Sequence, residues 1–154
     1  MTYQEFHSLL EKKPDRDQEK VIRSVKNTIV SAGAGSGKTQ TLASRFVYLL
    51  AGDLEDQNGK KIPNPTVERI LTLTFTNKAA AEMYQRIYKT LKFFAGKTEN
   101  QESKKKLEKA IADFSKARIQ TLDSYSASVL RQAAANYGIR PDFSQGEEPA
   151  RIKD

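Results

Sequence analysis

Leu42, Phe46, Leu49 and Leu50 recur at the three-to-four spacing of one helix face, so Lys38 to Leu50 reads as an amphipathic helix with Gly52 as its stop. The same rhythm runs from Asn77 to Phe94, the longest predicted helix, closed by Gly96. It returns from Ser103 to Lys116, with Leu107, Ile111 and Phe114 turned toward a core. Two short helices come first. Thr2 and Glu5 form a T-x-x-E capping box for a helix through about Glu11. Asp15 and Gln18 repeat that spacing before Val21, Ile22 and Val25, which starts a second helix near Arg16. Three short β-rich runs lie between the helices: Thr28 to Ser31, Ile70 to Phe75 and Ile119 to Leu122. The first reads as a buried strand, and the other two as the second and third strands. Asp123 is placed to cap a last helix that runs to Tyr137 and ends at Gly138. The polar stretch Asp53 to Thr66, with Gly59, Pro63 and Pro65, reads as a surface loop.

Strand then helix, three times over, predicts an α/β fold: a parallel sheet with helices on both faces. The pattern covers residues 1–143 as one domain. No periodicity remains after Phe143, so residues 144–154 are expected to fray. The 154 residues suffice for one hydrophobic core and not for two large ones. The absence of cysteine excludes a disulfide framework and thiolate metal sites, and the single histidine, His7, excludes a multi-histidine centre. His7, Met83, Phe93 and Phe94 read as packing or surface residues. No apolar run reaches the roughly 20 residues that span a bilayer, and Met1 to Glu5 shows no signal-peptide pattern. The expectation is a cytoplasmic protein with no membrane partner.

The formal net charge is +7, and Arg86 to Arg118 holds ten basic against four acidic residues. One segment therefore carries most of the positive field, which favours a polyanion. The plain alternative for Lys104-Lys105-Lys106 is a solvated helix face.

The run Ala32-Gly33-Ala34-Gly35-Ser36-Gly37-Lys38-Thr39 lies between a predicted strand and a predicted helix. That is the setting of a phosphate-binding P-loop, here with Ala32 where the usual pattern begins with Gly. Triphosphate oxygens need inward-pointing backbone N–H groups, and small residues let the chain come close enough. Lys38 supplies a mobile cation for the β and γ phosphates, and Thr39 a hydroxyl for Mg²⁺. The glycine spacing does not fit the dinucleotide pattern. ATP or GTP with Mg²⁺ is the expected cofactor. An acid that holds Mg²⁺ normally ends an apolar strand, and no strand here ends in Asp-Glu or Glu-x-x-Asp. Asp123 is the nearest candidate and reads instead as a helix cap.

Several segments together resemble the UvrD/Rep-type superfamily 1 DNA helicases, including the helicase–nucleases AddA and RecB. Asp17-Gln18-Glu19 is similar to the family's Q motif, in which the glutamine reads the adenine edge. Ser31 to Thr39 is close to its P-loop. Leu73-Thr74-Phe75-Thr76-Asn77-Lys78-Ala79-Ala80-Ala81-Glu82-Met83 resembles motif Ia almost residue for residue, and Ile119 to Tyr125 resembles motif Ib. Tyr137 to Phe143 leans to the AddA/RecB branch. The resemblance covers most of residues 14–143 and implies the N-terminal part of a first, RecA-like motor domain. It implies an ATP-dependent helicase that moves 3′ to 5′ on single-stranded DNA in repair or recombination. It further implies a second motor lobe, and a nuclease subunit or domain as a possible partner. The nucleotide set it implies is Gln18, Ala32, Gly33, Ala34, Gly35, Ser36, Gly37, Lys38, Thr39 and Gln40, with Lys38 and Thr39 serving catalysis.

The DNA set it implies is Phe75, Thr76, Asn77, Lys78, Thr121, Ser124 and Tyr125. An aromatic at a strand's C-terminal end can stack on a base, and the following helix's first N–H groups can grip a phosphate. The alternatives stay open: Phe75 as the core end of a strand, Tyr125 as helix packing, Lys78 as a solvated lysine. By this reading the 154-residue chain grips nucleotide and DNA and lacks the later motifs needed for hydrolysis. Two rivals remain. A non-enzymatic DNA-binding or assembly module with a relic P-loop would bind DNA regardless of Lys38. A small nucleotide kinase would need a paired-arginine lid, and no such pair is visible.

Overall fold

The structure, a computed structural model, describes residues 1–138 and residue 140. Among these, six α-helices and four short strands follow in chain order: α1 Tyr3–Leu9, α2 Arg16–Arg23, α3 Lys38–Ala51, β1 Leu54–Glu55, β2 Lys61–Ile62, β3 Leu71–Thr74, α4 Asn77–Lys97, α5 Gln101–Ala112, β4 Arg118–Thr121 and α6 Leu122–Ala133. Both predicted capping boxes form. Thr2 accepts from the Glu5 amide while Glu5 accepts from Thr2, and Asp15 and Gln18 do the same at α2. The expected tail, 144–154, and most of the stretch 137–143 lie outside the described residues.

The core is helical. Phe6 of α1 stacks on Phe94 of α4 with ring centroids 4.4 Å apart, and Tyr48 of α3 meets Phe6 edge-on at 5.1 Å. Ile22, Val47, Ile87, Leu91 and Leu107 close the same cluster. Each such side chain, fully withdrawn from water, contributes about 1.5–3 kcal/mol. Leu107 and Phe114 are buried as expected, Ile111 only partly, and Leu42 is exposed because it looks away from this cluster. Arg45 ties α3 to α2, donating to the carbonyls of Val21 and Ser24 at the end of that helix. The far end of α3 is held too. Asn64 donates to the carbonyls of Leu49 and Gly52, each at 2.8 Å, and Ser103 to that of Ala51 at 3.1 Å. No described helix is long and apolar enough to cross a membrane.

Two of the three predicted strands form. β3 and β4 pair in parallel, Leu71 opposite Arg118 through Thr74 opposite Thr121, with α4 and α5 as the crossover. The result is a mixed helix–strand fold with a small parallel sheet. Thr28 to Ser31 is not a strand, and Ile29 is fully exposed. A strand needs a neighbour for its N–H and C=O groups. Among the described residues β3 and β4 pair with each other, and Ser24 instead folds the chain before Ile29 through its contact with Thr28, at 2.7 Å. Leu71 and Leu73 likewise stay partly open to water on one face of β3.

Other boundaries move for local reasons. The polar stretch after Asp53 is not loop throughout: β1 and β2 form an antiparallel hairpin, its turn built on Asp56 Oδ1, which accepts from the amides of Asn58 and Lys60. Gly96 does not close α4. The helix runs through it to Lys97 and ends at Thr98. α5 starts at Gln101 under an Asn100 cap, and Phe114–Lys116 forms a separate 3-10 turn. Asp123 is not the cap of α6. Thr121 is, accepting from the Ser124 amide at 3.1 Å, and Asp123 lies exposed in the first turn.

Candidate nucleotide and nucleic-acid site

The glycine run makes a loop that only glycine at two positions allows. Gly35 has φ +75° and Gly37 φ +78°, the left-handed region that other residues rarely enter. Gly37 is also the N-cap of α3, and no side chain caps that helix. The other five described helices are capped by Thr2, Asp15, Thr76, Asn100 and Thr121. Among them α3 alone leaves its first-turn N–H groups to something else, at the positive end of a 14-residue helix. A Cβ on Gly33 or Gly35 would meet nothing within 4 Å, so neither is there to make room for protein. Small residues, free amides and open space fit a polyphosphate.

Lys38 is exposed and folds back over the loop, its Nζ donating to the carbonyls of Ala32 at 3.0 Å and Gly33 at 2.6 Å. That seats the cation on the loop it would serve. Thr39 is half-buried one residue into α3, a position suited to a Mg²⁺-binding hydroxyl. Among the described residues no three His, Asp or Glu side chains converge to hold a metal.

Gln18 joins α2 to this loop. Its Oε1 accepts from the Asp15 amide at 3.1 Å, and its Nε2 donates to the Ser36 carbonyl at 2.9 Å. One N–H and one oxygen lone pair remain, which is the complement of an adenine edge offering a donor and an acceptor. Beside it a cleft of about 600 Å³ is lined by Gln18, Val21, Val30, Ser36, Lys38 and Leu42, among others. Lys38, the loop residues and the apolar Val21, Val30 and Leu42 suit a nucleotide, with Asp15 and Asp17 the carboxylates on the same lining. Gln40 is not among its lining residues. It faces α4, accepting from Arg86 Nη1 at 3.3 Å.

The second group gathers where β3 and β4 end. Because Thr74 stands opposite Thr121, the residues that follow each strand emerge side by side at the C-terminal edge of the sheet. Ligands bind open parallel sheets at that edge. Phe75 is 92% exposed there, so it is not the core end of a strand. Thr76 caps α4 through the Ala79 amide at 3.1 Å, and Asn77 and Lys78 are exposed in the first turn. Ser124 is exposed, and Tyr125 is half-buried with the Arg118 guanidinium 6.0 Å from its ring. Thr121 departs from the expected outward role. It is buried, and its hydroxyl both accepts from the Ser124 amide and donates to Ser124 Oγ at 2.8 Å.

The phosphate loop and Phe75 do not share a sheet, since the run before the loop is unpaired; α3 and α4 carry them. Sequence reasoning missed the Gln40–Arg86 link and the Asn64 anchor. The one signal for Asn64 was an amide between two prolines, and its partners are set only by the fold.

An ATP-dependent helicase/nuclease subunit from Listeria innocua is 37% identical over 141 residues, which is 90% of this chain and 10% of that protein. Its namesake from Streptococcus suis is 31% identical over 140 residues, again 90% and 10%. The exonuclease/helicase protein RexA from Streptococcus pneumoniae serotype 4 is 32% identical over 140 residues, 90% of this chain and 11% of that protein. The chain thus spans about a tenth of the length of the curated relatives it matches. Residues 15–152 match the family model of the UvrD/REP helicase N-terminal domain, and with these relatives named as helicase subunits, the chain belongs to the UvrD/REP helicase family as an N-terminal domain.

Proposed function

We propose that this chain is the nucleotide- and DNA-gripping portion of an ATP-driven motor that moves 3′ to 5′ along single-stranded DNA and separates strands. The observation that carries it is Phe75, a benzyl ring left in water at a strand end with a helix N-terminus directly behind it. Leaving a phenylalanine exposed forfeits about 1.5–3 kcal/mol of burial, which a base stacked on it offsets. Thr76, Asn77 and Lys78 hold the adjoining phosphate, and Ser124 and Tyr125 a second contact one strand over. Thr121 positions Ser124 rather than touching DNA. Gln18 reads the adenine, and the α3 amides with Lys38 hold the polyphosphate. Thr39 holds Mg²⁺. ATP, when bound, supplies the driving free energy by cleavage of its terminal phosphoanhydride.

The names of the relatives support a partner on the nuclease side, and a second motor lobe would close over the nucleotide cleft to shift DNA past Phe75. The 154-residue chain by itself binds both ligands weakly and has negligible ATPase, because neither strand of the described parallel sheet ends in an acid for Mg²⁺: β3 ends at Thr74 and β4 at Thr121. Titration tests the site directly. Lys38→Ala loses about 1.5–3 kcal/mol of nucleotide binding. Phe75→Ala loses about 1–3 kcal/mol on oligothymidylate. Equal nucleotide affinity for wild type and Lys38→Ala sinks the phosphate assignment, and strong DNA-stimulated hydrolysis by the pure chain sinks the division of labour.

A further inference from the structure

α4 carries five cations, Lys78, Arg86, Lys89, Lys92 and Lys97, against one carboxylate, Glu82. At about 100° per residue the five fall within an arc of about 140°. The buried residues Met83, Ile87, Thr90, Leu91 and Phe94 fill the opposite side. All five cations are exposed, and among the described residues none is in an ion pair. Arg86 bonds to Gln40, and Lys92 and Lys97 lie 5.7 and 6.0 Å from the rings of Tyr88 and Phe93. Phe93, half-buried, lies in the same arc.

The middle of this face opens into a groove of about 810 Å³ between α1 and α4, where Lys12 joins Arg86 and Lys89. Glu11 and Glu82 are the carboxylates on its wall. α5 pairs one of its four lysines, Lys106 with Glu102 at 2.6 Å one turn away, where among the described residues α4 pairs none of its cations. Stability alone favours that interleaving of signs. The cations from Lys78 to Lys92 extend about 21 Å along the axis, interrupted only by Glu82 in the same arc, and their excess over that one carboxylate matches a strand of phosphates.

We propose that this face is a backbone track: the DNA strand gripped at Phe75 to Lys78 continues along α4 over Arg86, Lys89 and Lys92. The inference rests on the DNA-binding reading of Phe75 and lengthens that site. Its test uses the full chain with Arg86→Gln, Lys89→Gln and Lys92→Gln combined, titrated with oligothymidylates of five and twenty nucleotides across a salt series. The 20-mer should bind at least tenfold more weakly at low salt, with a log–log salt slope shallower by about 2, since each phosphate contact on a single strand contributes about 0.7. The 5-mer should bind as to wild type.

A matched control, Lys60→Gln with Lys61→Gln and Lys105→Gln, removes equal charge elsewhere and should keep the 20-mer. Thermal melts check folding, and the single Lys89→Gln, with a slope shallower by about 0.7, serves should the triple variant unfold. The track is overturned when the triple variant binds the 20-mer as wild type does, when the control loses as much, or when polyglutamate displaces the 20-mer at equal charge. Phe75→Ala should weaken both oligomers. Its failure to do so, with the triple variant still defective, retires the Phe75 reading and leaves the cationic face standing as a DNA site.

Discussion

At Gly52 a Cβ would stand 2.4 Å from the Tyr48 ring and 2.6 Å from its carbonyl oxygen. Its backbone is extended, φ −79°, so glycine is needed there for space and not for a left-handed turn. At Gly33 a Cβ would meet nothing. The two glycines therefore separate stability from binding. Gly52→Ala should lower the unfolding free energy by about 1–3 kcal/mol through overpacking and leave nucleotide affinity alone. Gly33→Ala should unfold within about 0.5 kcal/mol of wild type and, on the proposed phosphate assignment, bind nucleotide more weakly, because the added methyl would occupy open space beside the loop. Chemical denaturation and nucleotide titration of both variants check this, and identical profiles would remove the distinction. The positive φ of Gly35 and Gly37 came from the structure, whereas the glycine-rich turn between Val30 and Lys38 was legible in advance as a loop of small residues before a helix. The buried role of Thr121 was not, because a threonine before a helix looks the same whether its hydroxyl caps the helix or faces a ligand.

Among elements, α3 is held at its middle by its own Arg45, which binds it to α2, and at its C-terminal end by Asn64 and Ser103, which hold its last carbonyls. The Asn64 amide makes two of those bonds and accepts a third from Lys106 at 3.1 Å. Asn64→Ala should cost about 1–3 kcal/mol, since it leaves part-buried carbonyls without a donor. A melt unchanged from wild type would show that water satisfies them. Helices were readable because their caps and their 3.6-residue rhythm are local. α4 overran its predicted stop because Gly96 has open space around it and no demand for positive φ, so the helix could pass through. Strands were less readable, because a strand exists only with a partner. Ile70 to Phe75 and Ile119 to Leu122 found each other, with ends shifted by a residue, and Thr28 to Ser31 found none.

For the whole molecule, charge sets the response to pH. Hydrogen bonds from Lys20, Lys106 and Lys116, and then their charge, hold the carboxyls of Asp17, Glu102 and Asp113 below the usual range. A carboxyl depressed in the folded state contributes stability above its unfolded value, near pH 4, and loses it as pH falls through the folded value. The pairs are exposed, so each contributes little. Acidification also raises a net charge that is already +7, adding self-repulsion. The melting temperature should stay level from about pH 7 to 5, then fall below about pH 4, and fall less in 0.5 M salt. A decline above pH 5, or one indifferent to salt, would contradict this account.

The sequence by itself determined where most of the helices lie, the two capping boxes at Thr2 and Asp15, and the family, because each depends on residues close in the chain or on a motif of contiguous residues. Tertiary structure alone decided that Phe75 stands in water, that Thr121 is spent on a cap, that Gln40 turns to Arg86, and that the cations of α4 share one open face. Those outcomes depend on which distant segment lies alongside, and burial and pairing are properties of neighbours in space.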